Sequence, residues 1–311
     1  MRAAFARTLT ELAERDERIV LMTGDLGFMA LEPFSERFPD RFFNVGVAEQ
    51  NMIGLATGLA ESGYLPFVYS IATFASLRGY EFIRNGPIAH RLPVRIIGVG
   101  GGFEYGSAGP THHGLEDVGV MRLQPGLTVV APADHRQAKN ALLATWDCDG
   151  PVYYRIGKDD RTEVPGLDGR FELGRNELVR DGGKLMPKSI PKLIPKLILV
   201  SMGSIAAATV AAAEELDAAA LVVSTLNPPP DEDLASTLSG FDRVLTVEAH
   251  YVSGGLGSLV AEVIAERGLS CTLERCGVRD PSDGRSGSPD YYLARHHLSK
   301  EAIVARASAS S

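Results

Sequence analysis

The chain has 311 residues, 45% of them hydrophobic and 23% charged, with a formal net charge of −8. That composition suits a soluble globular protein of about two domains and argues against a nucleic-acid backbone as partner. No apolar run nears the roughly 18 residues of a membrane span, and three cysteines, Cys148, Cys271 and Cys276, make no disulfide framework in so long a chain, so a reducing cytoplasm is the expected compartment.

The N-terminal half alternates between strands and helices. Arg2–Arg15 reads as an amphipathic helix with acids in it, without the apolar core of a signal peptide. Ile19–Met22 reads as a buried strand running into Thr23-Gly24-Asp25-Leu26-Gly27, and Leu31–Phe38 as a short helix. Phe42–Val45 is expected to be another buried strand, broken by Gly46. A helix then starts near Ala48 and carries Glu49 in its first turn, where the helix dipole favours a carboxylate. Gly54 and Gly58 lie on one face of it, and each costs roughly 1 kcal/mol against alanine. Close approach of another backbone is the expected compensation. Strands at Leu65–Tyr69, Pro93–Val99, Thr128–Ala131 and Val152–Ile156 alternate with helices at Phe74–His90, Val118–Arg122 and His135–Trp146. Such alternation implies βαβ units and a mainly parallel sheet, with functional groups at the carboxyl ends of its strands. Asp25, Glu49, Ser70, the Gly100-Gly101-Gly102 loop and Arg155 all fall there.

A polar, glycine-rich stretch follows, and then a tandem Pro-Lys pattern from Pro187 to Lys196. Proline at every fourth position forbids a regular helix or a central strand, so an extended insertion is expected. The last third alternates again, from a strand at Leu197–Ser201 to a final helix at Lys300–Ala307. The expected fold is therefore α/β with two domains, each a mainly parallel sheet flanked by helices: residues 1–165, a linker over 166–195, and residues 196–311. The glycine clusters at Gly98–Gly102 and Gly254–Gly257 do not give a dinucleotide fingerprint, and neither a nucleophile elbow nor a Walker lysine is present. His112 and His113 are adjacent and make a poor metal pair, so no metal ligand is assigned to this chain.

VGVAEQNMIGLATGLA, YSIATFASLRGYEFIRN, GPTHHGLEDVGVMRLQPGLTVVAPAD and PVYYR occur in that order. Together they resemble the pyrimidine-binding half of transketolase, a thiamine-diphosphate family. VEAHYVSGGLGSLVAEVIAERG is similar to the transketolase C-terminal domain. The Gly-Asp-Gly motif by which the family holds the diphosphate and its metal is missing, which implies the second subunit of a split transketolase. The resemblance then implies a diphosphate-binding partner that carries Mg2+ or Ca2+, an α2β2 assembly, and self-association through the pyrimidine domain. It implies that Glu49 holds the cofactor's aminopyrimidine and activates it, that Phe74 stacks on that ring, and that Asp25, Leu26 and Val47 also meet the cofactor. His112 and His113 match positions facing the substrate, and Arg155 matches an arginine that binds a sugar phosphate.

Each assignment has a plainer rival: a solvent-facing helix-start glutamate for Glu49, a core residue for Phe74, a strand-end salt bridge for Arg155. The spacing from Phe74 to Arg78 differs by one residue from related sequences. Ala108 stands where relatives carry an aspartate that contacts a donor hydroxyl, with Ser107 beside it. The expected reaction is transfer of a two-carbon ketol unit from a ketose to an aldose, on sugars or sugar phosphates. The alternatives are the β subunit of a 2-oxo-acid dehydrogenase and a non-catalytic scaffold.

Overall fold

The computed structural model describes residues 1–182, 196–280 and 283–309. Most of the Pro-Lys repeat lies outside the described residues. In chain order the first part holds α1 (Arg2–Ala13), β1 (Ile19–Thr23), α2 (Glu32–Arg37), β2 (Phe42–Asn44), α3 (Glu49–Glu61) and β3 (Leu65–Ile71). A π-turn over Phe74–Arg78, α4 (Tyr80–Ile83) and a second π-turn over Arg84–Ile88 follow. Next come β4 (Arg95–Val99), α5 (Asp117–Arg122), β5 (Thr128–Val130), α6 (His135–Thr145) and β6 (Val152–Ile156). The rest holds β7 (Asn176–Arg180), β8 (Leu197–Ser201), α7 (Ala206–Glu215), β9 (Ala219–Val223), β10 (Thr225–Asn227) and α8 (Asp231–Leu238). It ends with β11 (Arg243–Tyr251), α9 (Leu256–Glu266), β12 (Thr272–Val278), α10 (Pro289–Arg295) and α11 (Lys300–Ala309).

Two sheets result, both mainly parallel and flanked by helices. The first runs β10-β5-β6-β4-β3-β1-β2 and the second β12-β11-β8-β9-β7. The strands β1, β3, β4 and β6 are buried along their whole length, as parallel strands covered on both faces must be. Their carboxyl ends therefore open at one rim, and the loops there carry the candidate site.

The structure corrects three sequence expectations. Phe42–Asn44 is an edge strand beside β1 with Phe43 and Asn44 exposed, not a buried one. Asn176–Arg180, placed in the linker, is an antiparallel strand at the edge of the second sheet. The stretch expected as one helix over Phe74–His90 is two π-turns around a short α-helix. A π-turn takes up one more residue than an α-turn.

Polar contacts tie the halves together. Gly119 N–H donates to His250 Nε2 at 3.2 Å, Tyr251 N–H to the Leu115 carbonyl at 2.9 Å, and Ser204 Oγ to Glu104 Oε1 at 2.6 Å. His250 is fully buried, and burial holds its imidazole below the usual histidine range. Nδ1 lies 2.6 Å from the Tyr251 carbonyl, so the proton sits there and Nε2 accepts.

Candidate active site

Glu49 opens α3 and turns inward. It is only 2% exposed, which removes the solvent-facing reading. Oε1 accepts from Ser70 Oγ at 2.9 Å and Oε2 from Arg78 Nη1 at 2.9 Å. One neutral donor from β3 and one cation from the π-turn satisfy the buried carboxylate, as burial of a charge requires. Gly24, at the end of β1, leaves space beside it. A Cβ there would stand 3.2 Å from the Gly46 carbonyl oxygen and 3.6 Å from Glu49 Oε1.

From Glu49 a row of side chains crosses the rim. The Arg78 guanidinium carbon lies 3.9 Å from the Phe74 ring centroid, and the His112 ring meets Phe74 edge-on at 5.0 Å. His112 Nδ1 is 2.9 Å from Thr111 Oγ1. The Tyr105 ring stands 6.5 Å from His112. Lys158 Nζ sits 4.0 Å over the Tyr105 ring and donates to the Glu104 carbonyl at 3.3 Å. Burial lowers the Lys158 pKa, with the Glu104 carboxylate opposing. Asp25 and Val47 form an exposed lip beside Glu49, and Leu26 is half-buried there. Asp25 adopts a positive φ of 57°, which aspartate tolerates better than most residues, and is tied to Asn44 through its N–H and its carboxylate.

Two expected substrate residues are buried. Arg155 is 4% exposed, and its guanidinium donates from Nε to Asp117 Oδ2 at 2.9 Å and from Nη2 to the carbonyls of Gly114 and Ala249, each at 3.0 Å. A Cβ at Gly101 would come within 2.4 Å of it. Arg155 thus joins Asp117 and Gly114 of the first part to Ala249 of the second. His113 is also buried, edge-on to Phe103 at 5.1 Å and to Tyr292 of α10 at 4.7 Å. Burial lowers its pKa, and its Nε2 has no hydrogen-bond partner among the described residues. Ser107 and Ala108 are exposed in a short 3-10 turn. That turn is held from the C-terminal part, where Gly287 N–H donates to the Gly106 carbonyl at 3.1 Å.

The sequence model for the transketolase pyrimidine-binding domain matches residues 1–162, and that for the transketolase C-terminal domain matches residues 190–303. The chain belongs to the transketolase family. It is 37% identical, over 98% of its length and 94% of the other, to a protein of Methanocaldococcus jannaschii provisionally named a transketolase C-terminal section. It is 34% identical to a 6-deoxy-6-sulfo-D-fructose transketolase subunit of a Clostridium species, over 98% of this chain and 92% of that one. Among solved structures it is similar to a split-gene transketolase described as an inactive β4 tetramer, with a TM-score of 0.83, 32% identity, and coverage of 98% of this chain and 95% of that one.

Transketolase membership implies dependence on thiamine diphosphate, and the residues present fit its aminopyrimidine. Glu49 is a buried carboxylate able to hold a ring nitrogen, Phe74 is an aromatic face beside it, and Gly24 keeps the floor free of side-chain atoms. Sequence reasoning noticed Ser70 and Arg78 without giving them roles, and it missed Tyr105 and Lys158. The strand-end rule that selected Arg155 also covers Lys158, just past the end of β6.

Proposed function

We propose that this chain is the pyrimidine-binding subunit of a two-component transketolase that transfers a two-carbon ketol unit from a ketose to an aldose. The carrying observation is the buried Glu49 carboxylate, held by Ser70 and set beside Phe74 and His112. Thiamine diphosphate, when bound, supplies the nucleophilic carbon that carries the ketol unit. Glu49 holds and exchanges a proton at a ring nitrogen, in a site dry enough to match the two groups. Phe74 orients the ring by stacking. His112 offers an imidazole nitrogen to the substrate hydroxyls, and His113 packs its loop against the C-terminal domain. Asp25, Leu26 and Val47 line the cofactor's edge. The diphosphate and its divalent metal are assigned to a separate partner subunit in an α2β2 assembly. A ketose-to-aldose assay of the reconstituted pair tests the reading. Acyl transfer to a lipoyl acceptor in its place would overturn it in favour of a dehydrogenase subunit.

The donor is proposed to be a sugar carrying an anionic group, met by Lys158. The named sugar of the Clostridium relative carries such a group. Arg155 is engaged by Asp117 and two carbonyls, whereas Lys158 reaches the same rim as His112 through Tyr105. Lys158→Ala is expected to raise KM for sugar phosphates by roughly tenfold or more, the loss of one charge-assisted contact, and to leave KM for uncharged sugars unchanged. Steady-state kinetics on both classes checks this, and equal effects would remove Lys158 from the substrate site.

Self-association is assigned to the outward face of α3. Among the described residues nothing lies within 4 Å of a Cβ built at Gly58, and only the Phe82 ring edge, at 3.9 Å, from one at Gly54. Leu55 and Phe82 beside them are 45% and 42% exposed. An apolar face without side-chain bulk suits the backbone of a second subunit. Gly58→Arg is expected to break the assembly while stabilising the isolated chain by about 1 kcal/mol, because a glycine leaves a helix interior. Sedimentation velocity and a thermal melt read the two effects, and an intact assembly would move the interface elsewhere.

A further inference from the structure

Arg78 makes two contacts, and they are the two that the proposed function gives to the aminopyrimidine. Its Nη1 donates to Glu49 Oε2, and its guanidinium lies over the Phe74 ring. A guanidinium is planar, carries N–H groups along its edge, and stacks on aromatic faces. It therefore satisfies a carboxylate and an aromatic face with the geometry of a small heteroaromatic ring. Ser70, fully buried, holds the inner oxygen of Glu49, so Arg78 covers the side of the carboxylate that faces out. A ring hydrogen-bonded to that side and stacked on that face of Phe74 would occupy the same volume as the guanidinium.

We infer that Arg78 is a built-in competitor for the pyrimidine slot, and that cofactor loading displaces its guanidinium toward solvent. The inference rests on the roles proposed for Glu49 and Phe74. The side chain has room to leave, being 43% exposed. Among the described residues its only partners are Glu49 and Phe74, so nothing else holds it in place. Until loading, Arg78 keeps a buried carboxylate paired, which avoids the cost of a lone charge. The same pairing lowers the apparent cofactor affinity by the fraction of molecules in which the slot is closed.

The test is calorimetric titration of thiamine diphosphate with MgCl2 into the chain assembled with its diphosphate-binding partner. Arg78→Met keeps the aliphatic stem and removes the competing N–H groups. It is expected to lower Kd by about tenfold, as a slot closed nine-tenths of the time requires. Arg78→Lys keeps the charge but loses the planar fork, and it too is expected to bind more tightly than wild type. Millimolar guanidinium chloride should weaken binding to Arg78→Met and leave wild type unaffected. Unchanged or weaker binding by Arg78→Met, in an assembly whose wild type binds the cofactor, overturns the competitor and leaves the Glu49 reading intact. Wild-type-like binding by Arg78→Lys alone would reduce Arg78 to a simple counter-charge and also overturn it. Absence of cofactor binding by the wild-type assembly would remove the roles of Glu49 and Phe74 and the competitor with them.

Discussion

Glu49→Gln is expected to slow C2–H exchange of the bound cofactor by about 10²–10⁴-fold, the usual contribution of a positioned acid–base group. The amide fills the same volume and its oxygen still accepts from Ser70 Oγ, but it cannot exchange a proton with a ring nitrogen. The fold should survive. Arg78, half-exposed, turns to water when its carboxylate is lost, and the neutral amide leaves no unpaired charge buried. The loss is therefore catalytic and not structural, and cofactor affinity should change far less than the exchange rate. Deuterium exchange followed by NMR after acid quench reads this step without knowledge of the sugar. Wild-type exchange in Glu49→Gln would show that the carboxylate only caps and pairs.

Arg155→Met carries the largest expected effect on stability, a loss of about 3–5 kcal/mol. The Asp117 carboxylate is 1% exposed, and its Oδ1 already lacks a partner among the described residues. Without Arg155, its Oδ2 keeps, among the described residues, only the Tyr153 hydroxyl at 2.9 Å, and the Gly114 and Ala249 carbonyls lose their shared donor. A drop in the unfolding midpoint on the order of 10 °C follows. Asp117→Asn in the same background should recover part of it, because a buried amide costs less than a buried unpaired charge. Circular-dichroism melts of the single and double variants decide the matter. A wild-type melt together with a raised KM for sugar phosphates would return Arg155 to the substrate site.

Arg155 also shows where sequence reasoning reached its limit. Its position at the end of β6 was legible, but a strand end serves a ligand and an ion pair equally. Its partner Asp117 lies 38 residues upstream and Ala249 lies 94 residues on, and no local pattern connects them. Glu49 was more readable, because small residues behind it and a strand before it confine a carboxylate. Even there, the helix start could not show that Ser70 and Arg78 would divide its two oxygens. The long parallel strands announced themselves as continuous apolar runs. β7 did not, since both faces of Asn176–Arg180 are partly exposed and offer little contrast between them. β2 was found but misjudged: its phenylalanines suggest a core, yet an edge strand leaves Phe43 open at 42%.

The place of β10 bears on how the chain is made. Thr225–Asn227 closes the outer edge of the first sheet by pairing antiparallel with β5, although β8 and β9 of the second sheet precede it in the sequence. During synthesis at roughly 5–20 residues per second, the first sheet must wait several seconds after β6 emerges before its last strand arrives. Through that interval Thr128–Val130 presents unpaired backbone groups, an invitation to foreign strands. A fragment ended between the two family matches would keep that open border permanently. The nascent chain thus closes its first domain only after much of the second has been built.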